Sequence, residues 1–494
     1  MSNTKLCRIL AEFLASSKRS YLSAIRSASE ASKNKWTVVM GNESGDLDTI
    51  ACAIAYAYHQ THHLRKPTIP LIRTHPSDLK LRAENIYALA LAGVDDPETQ
   101  LLLLSDIPKD KWSQREFSLV DHNKLGSEFN SSGTDGKESR VVAVIDHHED
   151  EGLYTDTAEP RLVSPTGSCA SHVVAYILHN SPPDCDISTS IPPEISTLLL
   201  SAILIDTSMK PVYGGGKATE LDLHVAALLA PHAIFPDEIS DSDIALMTTA
   251  LSEVKQVTSA LLPLSTSQSP SPSPTSEIIL QSLRASSPIR ALLDNLVSKK
   301  LDVSHLNVPE LLRRDYKEYD HTVAISSDDK GEKVQIKVGL STVPVRLAKW
   351  AGTSASEEGN IDLLLQDGAT YMKERGLSVL GVLTTFRKEK RKNGAKGKKA
   401  REMAWLIRTD LPSSSAVNVL AQRIFTGLEA NDELSVKPHK QFKQFTKPSS
   451  KSHSDDTSLH ARHNGLIVRV YKQRNANATR KATAPILRQI LEDA

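Results

Sequence analysis

Three short segments gather carboxylates, imidazoles and amides: GNESGDLDT at 41–49, VDHN at 120–123 and IDHH at 145–148. Asp46 and Asp48, two apart in an extended loop, point the same way and reach one site. Gly41 and Gly45 allow the tight backbone this needs, and Asn42 adds an amide. The same carboxylates also suit a helix start, with Asp48 accepting backbone N–H bonds. Asp121 with His122 and Asn123, and Asp146 with His147 and His148, add two further clusters. Carboxylate with imidazole suits Mn²⁺, Co²⁺ or Zn²⁺, and a carboxylate-rich site suits Mg²⁺. Asp206 closes the apolar run LLLSAILID at 198–206. A carboxylate there is costly to bury unless it is paired or holds a cation; the alternative is a turn cap with Thr207 and Ser208.

The elements that position these residues follow from apolar spacing. Thr37, Val38 and Val39 predict a short strand, and Ile50, Ala53, Ile54 and Ala57 recur at helical spacing after it. The pattern over 79–94 predicts a helix ended by Gly93. The runs at 101–106, 117–123 and 141–148 read as short strands, each closing on Asp or Asp-His. Residues 193–206, with Pro193 near the start, read as a helix. Apolar runs alternating with helices predict a parallel sheet covered on both faces, whose ligands bind beyond the carboxyl ends of the strands. The acidic and imidazole residues fall at those ends.

The whole chain has 494 residues, enough for two or three domains at roughly 100–200 residues each. Its 59 Lys and Arg balance 59 Asp and Glu, which argues against a coat for nucleic acid or anionic membrane. Four scattered cysteines give neither a disulfide framework nor a CxxC metal site. No apolar run reaches the roughly 18–20 residues that span a bilayer. The first residues, broken by charges, read as an amphipathic helix rather than a leader, so a cytoplasmic location is expected. Alternating Ser and Pro at 264–276 predict a linker or insertion. A second α/β domain is expected beyond it, since LLRRDYKEY, KVQIKVGLSTV, LSVLGVLTTF and EMAWLIRT alternate in type. Segments 127–140, 388–401 and 437–458 read as polar surface loops. The expected division is a helical extension at 1–35, a metal-binding domain at 36–262, a linker at 263–276 and a substrate domain at 277–494.

In order and spacing, GNESGDLD, LVDHN, VIDHH and LID resemble the four motifs of the DHH phosphoesterases, in the subgroup that joins a DHH to a DHHA2 domain. LLRRDYKEY (311–319), VGLSTVP (338–344) and NATRKATAPIL (477–487) resemble DHHA2 segments. The subgroup includes family II inorganic pyrophosphatases, fungal exopolyphosphatases and prune-like phosphodiesterases. The resemblance implies a parallel-sheet α/β domain, a smaller α/β DHHA2 domain, and an active site in the cleft between them. It implies two divalent cations, Mg²⁺ or Mn²⁺ with Co²⁺ as a third candidate. Asp46 and Asp121 would hold one; Asp48, Asp121, His147 and Asp206 would hold the other, with Asp121 bridging. Asn42 stands where family II pyrophosphatases have His; an amide oxygen hardens the site and shifts preference toward Mg²⁺.

His148 would reach the substrate phosphate or leaving oxygen, and Lys317, Arg480 and Lys481 match DHHA2 positions that grip phosphate. RTHPSDLKLRAEN (73–85) resembles an exopolyphosphatase segment, making Arg73, His75 and Arg82 phosphate contacts. PTGSCASHV (165–173) resembles a family segment in which Ser168 and Cys169 support the metal or the substrate, or simply start a helix. The basic run 387–401 reads as a solvated loop, or as a surface drawing a polyanion inward. The implied activity is metal-dependent release of terminal orthophosphate from linear polyphosphate. The alternatives are a prune-like cyclic-nucleotide phosphodiesterase or short-chain polyphosphatase, and a catalytically weak scaffold. The implied partner is polyphosphate or another small phosphoanhydride, with no specific nucleic acid and no membrane.

Overall fold

The computed structural model describes residues 9–26, 36–107, 116–129, 139–182, 186–255, 273–324, 333–350, 361–388, 397–411, 414–445, 462–463 and 465–492. The chain divides into two compact units, Met1–Lys300 and Leu301–Ala494. Most of the Ser/Pro-rich run, the middle of the 127–140 segment and the core of the basic run lie outside the described residues.

Six parallel strands form the sheet of the first unit: β1 (Thr37–Met40), β2 (Thr68–Ile72), β3 (Leu102–Leu103), β4 (Glu116–Val120), β5 (Arg140–Asp146) and β6 (Arg161–Val163), in the order β3-β2-β1-β4-β5-β6. The strand order therefore reverses between β1 and β4, the place where open α/β sheets open a crevice. Both faces are buried, which is why the strands are nearly continuous apolar runs. Val39, Ile72, Val120 and Ile145 point into one core, and Val38, Met40, Leu71 and Leu119 into the other. Over the first face lie α2 (Leu47–His62), α4 (Cys169–His179), α5 (Pro193–Thr207) and α6 (Glu220–Leu229), with α3 (Ala83–Leu91) beside them. Helix α7 (Asp241–Lys255) adds Met247, Ala250 and Val254 to the same core. The opening helix α1 (Ile9–Arg26) buries Leu10, Phe13, Leu14, Tyr21 and Ile25 at helical spacing.

β2 contains Pro70, in register with Val39 of β1, while β3 pairs only with Leu71 and Ile72, past the proline. Two local expectations change. The run at 101–106 gives a two-residue strand, and Asp106 bonds the Leu103 N–H at 2.8 Å and Lys18 at 2.8 Å, a structural role. Ser273 caps α8 (Pro274–Ala285), which with α9 (Ser287–Leu301) packs Ile279, Leu283, Leu292 and Leu296 into the core of the first unit.

The second unit is built on an eight-stranded mixed sheet. Its strands are β7 (Tyr316–Ala324), β8 (Lys333–Val343), β9 (Val379–Thr384), β10 (Phe386–Arg387), β11 (Lys399–Arg408), β12 (Val436–Pro438), β13 (Arg462–His463) and β14 (Leu466–Gln473). The β8–β9 pair is parallel, and α11 (Asp362–Arg375) supplies the crossover such a pair needs. Helix α10 (Val308–Arg314) precedes β7, and α12 (Ser414–Ala430) and α13 (Arg480–Glu492) complete the unit. The ends of the basic run are ordered as a ladder, Phe386 opposite Ala400 and Arg387 opposite Lys399. Part of the 437–458 stretch is likewise structured, because Phe442, Phe445 and His439 are buried. Among the described residues no helix is long and apolar enough to cross a membrane.

Candidate metal centre

The three chemical segments meet at the carboxyl ends of β1, β4 and β5, at the reversal point of the sheet. After β1 the chain turns through Gly41, whose missing Cβ lets it pass Thr49; an added Cβ would sit 2.2 Å from Thr49 Cγ2. Asp46 then caps α2, its Oδ1 accepting the Thr49 N–H at 3.1 Å, with the Ser44 hydroxyl on Oδ2 at 3.1 Å. Asp48 lies in the first turn of the same helix and is buried, 2% exposed.

Asp48 sits at the N-terminus of α4. The Cys169 N–H donates to it at 2.7 Å, the Ala170 N–H at 2.9 Å and the Ser168 hydroxyl at 2.8 Å, with the Cys52 thiol at 3.5 Å. Unpaired amides and the helix dipole stabilise a carboxylate there. Asp121 follows β4 with φ +58°, the left-handed region rarely used by a non-glycine residue. That turn aims its carboxylate inward, where the Thr49 hydroxyl donates at 2.5 Å and the Asn42 amide at 2.9 Å. Asn42 also donates to the Asp121 carbonyl at 2.9 Å, while its own oxygen accepts the Ser44 N–H.

His147 Nδ1 lies 3.0 Å from the Thr166 carbonyl. A carbonyl can only accept, so Nδ1 carries a proton, and Nε2 faces Asp121 Oδ1 at 3.2 Å, to which it donates when protonated, and Asp48 Oδ2 at 4.0 Å. His148 diverges from it, its Nδ1 held by the fully buried Asp146 at 2.8 Å. Asp146 also accepts the Asn123 amide at 2.6 Å and the His147 N–H at 2.8 Å. Ligand atoms of Asp121, His147 and His148 lie within 4.8 Å of one another. Asp206 lies in the last turn of α5, where the charges of Asp48 and Asp46 act on its carboxyl.

The electrostatics are those of a site short of positive charge. Burial and the Asp121 charge push Asp48 up to about 6; burial pushes Asp121 up to about 6, with the Asp46 charge adding to it. Burial and the charges of Asp48 and Asp46 raise Asp206 to about 8. Burial also opposes ionisation of Asp46, but the Arg82 charge and the Thr49 amide hold it below the usual range. Burial disfavours charge on His147, yet the bond to Asp121 and the Asp48 charge raise it to about 10. The bond to Asp146 raises His148 despite its own desolvation. Divalent cations would replace the protons that otherwise relieve this repulsion. The donor set fits them: hard carboxylates, and an imidazole whose tautomer is fixed by a backbone carbonyl.

The other predicted residues occupy different surroundings. Arg82 bonds the Ser44 carbonyl at 3.0 Å, and Arg73 is bound by Glu128 at 2.7 Å and Glu43 at 3.5 Å over the Phe129 ring. His75 caps the turn at 76–81. In the second unit Lys317 and Lys481 are exposed, without an ion-pair partner among the described residues, whereas Arg480 bonds the Asp315 carboxylate and carbonyl, each at 2.8 Å. Sequence reasoning passed over Thr49 and the positioning roles of Asn123 and Asp146. The DLDT, DHN and DHH runs contained them, but only the fold shows which groups they face.

The carboxylate and imidazole groups at the strand-order reversal of this doubly covered parallel α/β unit could hold a metal ion. Likeness to known proteins narrows the reading further. Residues 36–203 match the DHH family, N-terminal domain, and residues 294–490 match the DHHA2 domain. The chain belongs to the DHH family and joins its domain to a DHHA2 domain. It is 34% identical over 212 residues to the protein named "Putative exopolyphosphatase" of Schizosaccharomyces pombe, covering 40% of this chain and 52% of that one. It is 30% identical over 229 residues to exopolyphosphatase PRUNE1 of Bos taurus, covering 45% and 47%. To the manganese-dependent inorganic pyrophosphatase of Methanocaldococcus jannaschii it is 32% identical over 197 residues, covering 39% and 54%. The chain spans about half the length of the relatives it matches.

Proposed function

We propose that this protein is a metal-dependent exopolyphosphatase that releases terminal orthophosphate from linear polyphosphate. The observation that carries the reading is the meeting of Asp48 and Asp121 with His147 and His148, with Asp46 and Asp206 near enough for their charges to act on the group. The names of relatives, exopolyphosphatases and a manganese-dependent pyrophosphatase, support a phosphoanhydride as substrate.

Asp46, Asp48, Asp121, His147 and Asp206 would hold two divalent cations, Mg²⁺ or Mn²⁺, beside Asn42. When bound, the cations supply Lewis acidity and charge neutralisation at the phosphoryl group. His148, protonated and oriented by Asp146, leaves Nε2 to donate to a substrate oxygen and to protonate the departing phosphate. Lys317, Arg480 and Lys481 bind the phosphates of the polyanion, with Arg73 and Arg82 as further contacts. Arg480, already bound to Asp315, brings its guanidinium with its orientation set.

The test is phosphate release from long-chain polyphosphate, tripolyphosphate, pyrophosphate and cyclic AMP with Mg²⁺, Mn²⁺ or Co²⁺. Release from the longer chains is expected; turnover confined to pyrophosphate or cyclic AMP would overturn the proposal. Preference for tripolyphosphate would favour a prune-like short-chain enzyme, the reading to which the PRUNE1 match lends weight.

A further inference from the structure

Two members of the metal centre depend on one loop. Between β6 and α4, Thr166 offers its carbonyl to His147, and Ser168, Cys169 and Ala170 bind Asp48. That loop has no regular ladder of its own. What fixes it is Asp222, a fully buried carboxylate in the first turn of α6.

Asp222 completes a capping box with Thr219, accepting its N–H at 2.7 Å and its hydroxyl at 2.8 Å. A cap needs no more than this, yet the remaining bonds run about fifty residues back along the chain. Oδ2 also accepts the Gly167 N–H at 2.8 Å; Oδ1 accepts the Ser168 N–H at 3.2 Å, the Thr166 hydroxyl at 3.1 Å and the Ser171 hydroxyl at 2.6 Å. The fit is close at Gly167, where an added Cβ would lie 2.6 Å from Asp222 Oδ2, 2.6 Å from Thr207 Cγ2 and 2.8 Å from the Lys217 carbonyl. Thr207 directly follows Asp206, so the same contact abuts a third member of the centre.

We propose that Asp222 is a positioning residue for the metal centre, holding the 166–171 loop so that His147 and Asp48 present their ligand atoms together. The role of that centre rests on the function proposed above. Asp222 itself touches neither substrate nor cation. Only an ionised carboxylate accepts from donors on all sides without bringing a donor of its own. An asparagine would turn its NH₂ against the Gly167 and Thr219 amides or, flipped, against the Ser168 amide. Either way a buried N–H loses its acceptor, and the Thr166 carbonyl and the α4 N-terminus shift from His147 and Asp48.

Asp222→Asn in the full chain should weaken Mn²⁺ binding about 10- to 100-fold, the usual effect of losing an outer-shell partner. Binding is read from the electron paramagnetic resonance of free Mn²⁺, beside melting in EDTA and phosphate release. Activity should return as Mn²⁺ is raised. Wild-type Mn²⁺ affinity with a lowered melting temperature would make Asp222 a helix cap only and overturn the proposal. Wild type that binds Mn²⁺ but hydrolyses no phosphoanhydride would refute the activity and leave the affinity comparison to decide on Asp222. If Asp222→Asn does not fold, Gly167→Ala pushes the loop off an intact Asp222. The same loss of affinity is expected, and unchanged affinity would overturn the proposal.

Discussion

Replacing Asp48 by Asn separates what the fold requires from what a cation requires. In the metal-free protein two effects oppose each other. The amide keeps one oxygen, which can hold the Ser168 hydroxyl and the Ala170 N–H on the Oδ1 side. Its NH₂ then faces the Cys169 N–H that Oδ2 accepted at 2.7 Å, and an unpaired buried N–H costs about 1–3 kcal/mol. Against this, a neutral group no longer repels Asp121 and no longer carries a charge into a buried place. The net change in EDTA should stay within about 2 kcal/mol of wild type, either way. With cation present nothing offsets the loss of a charged ligand. At a Mn²⁺ concentration 100 times its dissociation constant, wild type gains about 2.7 kcal/mol. A variant binding a hundredfold more weakly gains about 0.4 kcal/mol at the same concentration. At about 2 °C per kcal/mol for a unit of this size, Mn²⁺ should raise the wild-type melting temperature by about 5 °C and that of Asp48→Asn by less than about 1 °C. Scanning calorimetry in EDTA and in Mn²⁺ reads both numbers. An equal Mn²⁺ gain in the two proteins would remove Asp48 from the ligand set and refute the reasoning.

His148→Ala should bind Mn²⁺ as wild type does, because Asp48, Asp121 and His147 remain, while kcat for polyphosphate falls about 10²- to 10⁴-fold as for a lost general acid; an unchanged kcat would remove it from catalysis. Lys317→Ala and Lys481→Ala should raise KM in steady-state assays while melting stays within about 1 °C, since neither side chain is tied to a described partner. Arg480→Ala should raise KM and lower stability together, because the Asp315 carboxylate and carbonyl lose their donor; a KM change without a stability change would contradict that. For Glu402, burial works to raise the pKa, but the bond from the buried His439 and the Leu347 N–H keep it below the usual range. A depressed carboxylate stabilises above its unfolded pKa of about 4.3 and loses that stabilisation as pH falls through the folded value. Denaturant unfolding of the second unit should therefore show a smaller drop from pH 6 to pH 3 in Glu402→Gln than in wild type.

Apolar patterning made the strands with site residues legible, because a strand buried on both faces is written as an unbroken apolar run and its polar terminus stands out. VVAVIDHH and FSLVDHN are such runs, and each delivers its Asp to the sheet edge as expected. The same logic overreached at LLLLSD, where Asp106 serves Lys18 and a local turn; an apolar run with a terminal carboxylate does not reveal which edge of the sheet it joins. The positioning groups were hidden for another reason. Asp48 meets Ser168 across 120 residues of chain, and Asp222 meets Gly167 across 55. Side-chain type near a motif can suggest a ligand, but its holder is chosen by topology.

How the carboxylates are held bears on what they are for. A fold that only needed to bury Asp48 and Asp121 could pair each with a lysine or arginine and cancel the charge. Instead Asp48 takes a hydroxyl, two backbone amides and a thiol, Asp121 takes a hydroxyl and a carboxamide, and the two share one imidazole, His147. Asp146, which orients His148, takes the Asn123 amide and the His147 N–H. The neutral donors fix position without cancelling charge, and one shared imidazole offsets only part of it, so the buried carboxylates keep repelling one another, which raises Asp48, Asp121 and Asp206. Such an arrangement lowers the stability of the empty protein, and a cation relieves it in proportion to its charge. A fixed lysine that would stabilise this fold best would also take the place proposed for the cation, so the repulsion between the carboxylates and the proposed metal binding have the same origin.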